Sequence, residues 1–499
     1  MIRAVCLSTL LGALAAPAPA QLISIKTVPV AQGAQFEIFP SHNLGMGGVS
    51  IALADTLLDP VLNPAKGARI SAARFFGSPT AYSVSHDAGG GRTLPLGAFL
   101  PSGSWYGGLA LALQEVDASR RELVPPPGVL RAAVIPQDVA PGGLDQRSHG
   151  NAFAFAMLGK VVPETRLSLA GSVLWARLTA VDGVDALYAG SQGVKQFGHA
   201  VDLRIGVLKQ WAGDRSLEAL LLHNRFGMTQ NVTYLDVFWD PGTQQTLQRP
   251  RLEHNLDRTN TWGLHLGYQR PLGAAGWRIG WLATGNRMSH PKIPNYEIMN
   301  IPRDPGHSYA FNVGLGISKT RGPATFGIDA IYEPIWSTTW ADALAPIATR
   351  LGDTIPAGGR TIENQFRFSN ALFRMGVGRE LALPGLGKAA ALQLGLAVRS
   401  IRYRLAQVDH VQVSGRIQKE WWLEWTPTWG LSLRFPEFEI RYQGRLTSGT
   451  GRPGVAGPIF FAGDRTLAPA GILVAPSGPL TLDEVRVVTH QVSVSLPLR

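Results

Sequence analysis

The chain has 499 residues, with 57 Gly and 35 Pro but only 16% charged residues and a net charge of +11. No apolar run beyond the N-terminus approaches the ~20 residues that a spanning helix needs, which argues against a helical membrane protein, while the Gly content and short alternating apolar segments suit an all-β chain. The basic residues are scattered and form no run, which argues against nucleic acid as a partner and suits contact with anionic headgroups.

Residues 1–20 read as a secretory signal: Arg3 is the basic start, Val5 to Ala16 the apolar stretch, and Ala18-Pro19-Ala20 the small-residue cleavage site before Gln21. Cys6, the single cysteine, lies inside it. The processed chain therefore has no disulfide framework and no cysteine-based zinc site.

Gln21 to Ser41 shows no pattern, and Leu44 to Ala65 reads LGMGGVSIALADTLLDPVLNPA. Its Gly cluster lacks the spacing and the preceding strand of a dinucleotide loop. Gly there suits close backbone approach, and Pro64 pushes Asn63 towards extended geometry, as at the entry to a strand.

From Arg69 onward apolar residues recur at every second position. Leu109, Leu111 and Leu113 alternate with Ala110 and Ala112; Leu203, Ile205 and Val207 alternate with Asp202, Arg204 and Gly206. Trp262, Leu264 and Leu266 oppose Thr261 and His265, and Leu392, Leu394 and Leu396 oppose Gln393 and Gly395. A long series of such segments is the signature of a transmembrane barrel, apolar towards lipid and polar or small towards the lumen. Short turns (101–104, 162–165, 211–215, 271–276, 320–323, 383–388, 435–437) mostly alternate with long connections (116–148, 179–197, 228–259, 287–306, 335–363, 448–484). That asymmetry belongs to outer-membrane barrels, whose long loops face outward. The count is seven hairpins with one strand before and one after, about sixteen in all.

Inward parity selects Asp202, Arg204, Arg278, Asp329, Arg399 and Arg434 as lumen-facing charged candidates, with Glu439 and Arg441 beside them. Trp421, Trp422, Trp425 and Trp429 are expected near one membrane interface. No G-x-S-x-G, H-E-x-x-H or P-loop sequence occurs. A catalytic triad would have to be built on His265 or His223 with a nearby acid and Ser, and a lumen-lining role is the plainer reading for both. No catalytic residue, metal or cofactor is expected.

Three short words connect the N-terminal stretch to a family. Gly45-Met46-Gly47-Gly48, Ala52-Leu53-Ala54-Asp55 and Asn63-Pro64-Ala65 resemble the N-terminal signature of the FadL family of outer-membrane transport proteins and of the related PorV-like barrels. The resemblance covers about 22 residues; the rest matches in architecture alone. It implies a plug built on Gly45, Met46, Gly47, Gly48, Asp55, Asn63 and Pro64, a barrel of 14 strands, and import of hydrophobic compounds such as long-chain fatty acids or aromatic hydrocarbons. A buried Asp55 needs a partner, and an inward-facing arginine is expected to supply it.

The expectation is therefore an all-β protein: a signal peptide at 1–20, a plug or hatch at 21–66 and an antiparallel transmembrane barrel of about 14–16 strands at 67–499. Its place is the bacterial outer membrane, and its partners are outer-membrane lipid and a hydrophobic small molecule. The alternative is a non-transport barrel of the PorV-like kind, serving secreted or envelope proteins as an interaction partner.

Overall fold

The computed structural model describes residues 38–85, 89–117, 143–144, 150–180, 193–240, 242–273, 275–290, 306–343, 345–382, 389–449, 452–453, 482–483 and 486–498. The expected signal peptide, residues 21–37 of the expected plug and nearly all of the 116–148 and 448–484 connections lie outside these residues.

One antiparallel sheet closes on itself as a barrel of sixteen strands. Strand β1 is interrupted: Arg74–Gly77 and Thr80–Val84 both pair with the same two neighbours. Pro79, which has no N–H to give a ladder, sits at the break. There follow β2 (Gly90–Ser102), β3 (Trp105–Asp117), β4 (Gly150–Val162), β5 (Leu167–Leu178), β6 (Gly193–Trp211), β7 (Arg215–Asp240) and β8 (Gln245–Leu272). The second half is β9 (Trp277–His290), β10 (Gly306–Arg321), β11 (Ala324–Asp342), β12 (Arg360–Leu381), β13 (Ala389–Asp409), β14 (Ser414–Arg434), β15 (Glu439–Thr447) and β16 (Val487–Pro497). Each strand pairs with its successor, and β16 returns to β1. Closure leaves no edge with unpaired backbone groups, the condition for crossing a bilayer with strands.

The expected parity holds strand after strand. Leu111 is 67% exposed and Leu394 63%, whereas Ala110, Arg204 and His265 on the opposite parity are buried. Because side chains alternate with period 2, a one-residue slip would turn the apolar set inward. An even strand count, a lipid-suited outer face and short turns at one end define the setting: the molecule is a β-barrel of the bacterial outer membrane.

Two sequence expectations need correction. The segment 228–259 is not a loop; β7 and β8, of 26 and 28 residues, continue as one paired ribbon to a turn at 242–244. About 9–11 residues cross a bilayer, so the ribbon extends far beyond it on the side of the long connections. Beyond the bilayer lipid imposes no alternation, and the apolar alternation that marks the other strands is absent from the sequence there. The tryptophans of β14 also do not gather at one interface. Trp421, Trp425 and Trp429 share the outward parity, but eight residues of strand separate the first from the last, roughly 27 Å.

Candidate functional site

Residues 38–70 run across the interior against inward-facing side chains of nearly every strand. The segment has little secondary structure of its own: a single 3-10 turn at Leu44–Met46, one helical turn α1 (Asp59–Leu62), and a 3-10 stretch at Pro64–Arg69. Buried backbone groups must be paired, and here the barrel wall supplies the partners.

On the β8–β16 side those partners are polar side chains. Gln443 Nε2 donates to Ser41 O and Gln393 Nε2 to His42 O, each at 2.9 Å. Gly47 N donates to Thr428 Oγ1 at 2.8 Å, and that hydroxyl donates to Gly45 O at 3.0 Å. Asp329 Oδ2 accepts from Ser50 N and Ile51 N at 2.7 and 3.2 Å. Gln269 Nε2 donates to Ile51 O and Ser318 Oγ to Ala52 O, both at 2.7 Å.

The Gly cluster makes this approach possible. Gly47 and Gly48 both have φ of +72°, a conformation costly for residues with a Cβ. A Cβ on Gly47 would stand 2.8 Å from Met375 O, and one on Gly45 would stand 2.9 Å from Gly430 Cα. The wall answers with its own glycines: Gly376 and Gly395 face the Met46–Gly47 backbone with no room for a side chain. Met46 is buried beside them.

On the β1–β6 side the contact is apolar. Phe39, Val61 and Ala65 pack with Phe76, Phe99, Tyr106, Phe155, Met157 and Leu208. Two directed bonds punctuate this face: Tyr106 Oη donates to Ala65 O at 3.2 Å, and Arg204 Nη1 to Leu62 O at 2.6 Å.

Asp55 is buried and is not held by an arginine. One oxygen accepts from Ser41 Oγ (2.6 Å), His42 N (2.7 Å) and Asn43 N (3.2 Å); the other accepts from Leu57 N and Leu58 N. Backbone donors and the Ser41 hydroxyl, all within the segment, do what an arginine was expected to do, and they tie its two halves together. Asn63 is the cap of the following 3-10 stretch, accepting from Ala65 N, and Pro64 opens that stretch. The Asn63 amide also donates to Glu218 Oε2 at 2.8 Å.

Around Glu218 lies a buried charge cluster. Lys66 Nζ is 2.9 Å from Glu218 Oε1 and 3.6 Å from Asp59 Oδ1, and Arg69 is 3.8 Å from Asp59 Oδ2. Burial raises the Asp59 carboxyl above its ordinary range. Burial also opposes the Lys66 charge, but Asp59 and Glu218 outweigh it and the ammonium lies above its ordinary range. His265 stands at 4.0 Å from Glu218 and 2.7 Å from Thr284 Oγ1. A cavity of about 50 Å³ adjoins the cluster, bounded by Ser50, Asp59, Lys66, Glu218, His265 and Gln269. At ~10–15 Å³ per water it admits a few solvent molecules and no alkyl chain.

At the other end, His42 is pressed between Asp55 and Arg441. Burial first and Arg441 second hold its imidazole down at about 4. The ring is neutral at pH 7 and accepts from Arg441 Nη2 at 2.7 Å, while the same guanidinium nitrogen reaches Glu439 at 2.6 Å.

The charged candidates fall into three groups. Arg204 and Asp329 bond the segment directly, and Asp202 pairs with Arg204 at 2.6 Å. Arg399 pairs with Glu333 at 3.1 Å within the wall. Arg278 and Arg434 lie at the short-turn rim: Arg278 beside Asp214, and Arg434 between Glu380 and Glu439. His223 faces outward, its ring stacked on Trp262 at 4.2 Å. The sequence puts Gln269 and Gln393 on inward parity without marking them as partners of the segment, and it marks none of Gln443, Thr428, Glu218 and Lys66. The signal was there: uncharged amides on inward parity in strands whose other inward positions are small.

No family model matches the chain, and no curated protein matches it either. Solved outer-membrane barrels do resemble it at low identity. The toluene transporter TodX of Pseudomonas putida is 9% identical over 91% of this chain and 97% of its own, with a TM-score of 0.35. CdiB from Acinetobacter baumannii is 10% identical over 85% of this chain, with a TM-score of 0.39; the chain spans 60% of CdiB's length. A mutant of the ferric enterobactin receptor PfeA of Pseudomonas aeruginosa, in complex with enterobactin, is 7% identical over 85% of this chain and 81% of its own, with a TM-score of 0.33.

Two inward-facing apolar patches lie further along the strands, on the long-connection side of the segment. One joins Ala176, Leu178, Phe226 and Met228, with Phe153 and Ala200 against it. The other joins Met288, Ala310 and Ile335 to Phe366, Tyr403 and Leu405 through Phe368. Barrel interiors are ordinarily polar, so both patches are departures from the rule.

Proposed function

We propose that this barrel takes up hydrophobic small molecules of the fatty-acid or hydrocarbon kind, in the manner of the FadL family, and that residues 21–66 are its plug. The observation that carries the reading is the pair of apolar patches on the inner wall, on β4–β7 and on β9–β13, above the proposed plug. A water-filled channel for polar solutes has no use for Phe226, Phe366 and Phe368 facing its lumen. A greasy substrate gains about 25 cal/mol per Å² of apolar surface that it buries there. The cavity of about 50 Å³ beside the plug is far smaller than the ~300 Å³ of a ligand pocket, so a substrate taking this route needs plug and wall to part there.

The test is uptake of a radiolabelled long-chain fatty acid and of toluene by cells carrying the protein, compared with Phe226→Asp and Phe366→Asp. Folding of each variant is checked by its faster migration before boiling. A drop of at least tenfold for a folded variant is expected. Uptake no greater than in cells lacking the protein would end the transport reading, and stable co-purification with a secreted protein would then favour the interaction-partner reading.

A further inference from the structure

The outward face of β12–β14 carries a second feature. Near the long-connection end, Arg367 stands directly opposite Arg404, and Arg404 directly opposite Lys419. Arg402, on the same face two residues along, stands opposite Trp421. All four cations are exposed. Among the described residues none of the four side chains makes a hydrogen bond or an ion pair. The one described acid with outward parity on these three strands is Glu363, which is taken by Arg360 at 2.8 Å.

Directly opposed residues in an antiparallel pair hold their Cβ atoms ~5 Å apart, and like charges there destabilise the sheet. Three cations in line across three strands therefore call for an anion outside the chain. Their height says where that anion lies. Below Arg402 the same face turns apolar through Phe373, Leu394, Trp425 and Leu392. From Arg402 to Leu392 is ten residues, ~34 Å along a strand tilted by roughly 40°, or about 25 Å of vertical height, which matches the apolar band of a membrane barrel. The cations stand at its upper edge, on the side of the long connections, where the headgroups of the outer leaflet lie.

We propose that Arg367, Arg402, Arg404 and Lys419 seat the phosphate groups of an outer-leaflet lipid of the lipopolysaccharide class, whose acyl chains lie on the apolar face below. Guanidinium groups suit this task because their forked donors match phosphate oxygens in pairs. Several phosphates on one headgroup match a cluster of four cations better than the single phosphate of a glycerophospholipid. The assignment rests on the barrel and its orientation and is independent of the uptake reading.

The test uses the full-length protein in detergent, with native mass spectrometry counting lipopolysaccharide retained per chain. The variant R367Q/R402Q/R404Q/K419Q is expected to lose retention at least tenfold. A control at the opposite rim, K160Q/K209Q/K319Q, is expected to keep it. A second measurement needs no variant: unaltered protein is titrated with lipopolysaccharide, with enzymatically dephosphorylated lipopolysaccharide and with phosphatidylglycerol vesicles. At least tenfold weaker binding of the last two is expected. Equal binding of phosphorylated and dephosphorylated forms, or equal retention by the quadruple variant, would overturn the site. Phosphatidylglycerol binding as tight as lipopolysaccharide would overturn the choice of lipid.

Discussion

The two halves of the inner wall hold the N-terminal segment by opposite means. The β1–β6 half meets α1 and the Pro64–Arg69 stretch with aromatic and aliphatic side chains, whereas the β8–β16 half meets residues 41–52 chiefly with amides, hydroxyls and carboxylates, with Ile51 packed on Leu282 and Ile331 as the apolar exception. The difference follows the backbone. Around Asp59–Arg69 the segment pairs many of its own N–H and C=O groups in helical turns, so the wall adds the Tyr106 and Arg204 bonds and otherwise excludes water. Through 41–52 the segment pairs few of its own groups, so the wall becomes their ladder. A chain can cross a barrel interior either by bringing its own hydrogen bonds or by borrowing them.

Removing apolar volume from the first half should have the largest effect on stability. Phe155, buried against Phe39 with ring centroids 5.4 Å apart, should cost about 3–5 kcal/mol as Phe155→Ala. Urea unfolding in detergent or bilayer measures it, and a cost below about 1 kcal/mol would show that this wall is not a packed core. Next is the outer face. Leu264→Arg should cost about 2–4 kcal/mol near the midplane, and the neighbouring inward change His265→Arg much less. Equal costs would contradict the register of β8. In the polar half, Gln393→Ala leaves the His42 carbonyl without its donor and should cost about 1–3 kcal/mol, with Gln443→Ala behaving alike. Gln393→Leu should fare no better than Gln393→Ala, because at this position the wall supplies a donor and not volume.

The smallest expected effect is on pH dependence. His42 titrates near 6.5 when unfolded and at about 4 in place. Its neutral form therefore contributes stability that is whole above pH 6.5 and is lost as pH falls from there through about 4. Protonation also turns the Arg441 contact from a hydrogen bond into a repulsion. Urea midpoints at pH 7.5 and 4.5 should differ less for His42→Gln than for the unaltered chain; identical differences would remove His42 from the account.

Most of the barrel was legible because membrane strands obey a period of two that a slip of one residue destroys. Leu109–Leu113, Leu203–Val207 and Leu392–Leu396 announce lipid on one side and lumen on the other. The outer half of the β7–β8 ribbon was not legible, since it reaches beyond the bilayer, where lipid imposes no alternation to read. Within the segment, Gly45–Gly48 signalled close approach, and Gly376, Gly395 and Gly430 are the surfaces approached. The mode of holding was hidden. An amide such as Gln393 looks like any lumen residue until the carbonyl it serves is known, and Asp55 found four of its five donors on the backbone, which sequence does not display. The outward charges were overlooked for a different reason: a search for inward charge passes over Arg367, Arg402 and Arg404.

Single-channel conductance in planar bilayers of the protein with residues 21–60 deleted tests most directly whether this segment, held by two unlike walls, closes the barrel. Sixteen strands enclose more space than their own inward side chains fill, so deletion should raise conductance several-fold over the unaltered chain and abolish selective uptake. Unchanged conductance in the deletion, together with protease cleavage of the segment in intact outer membranes, would contradict it.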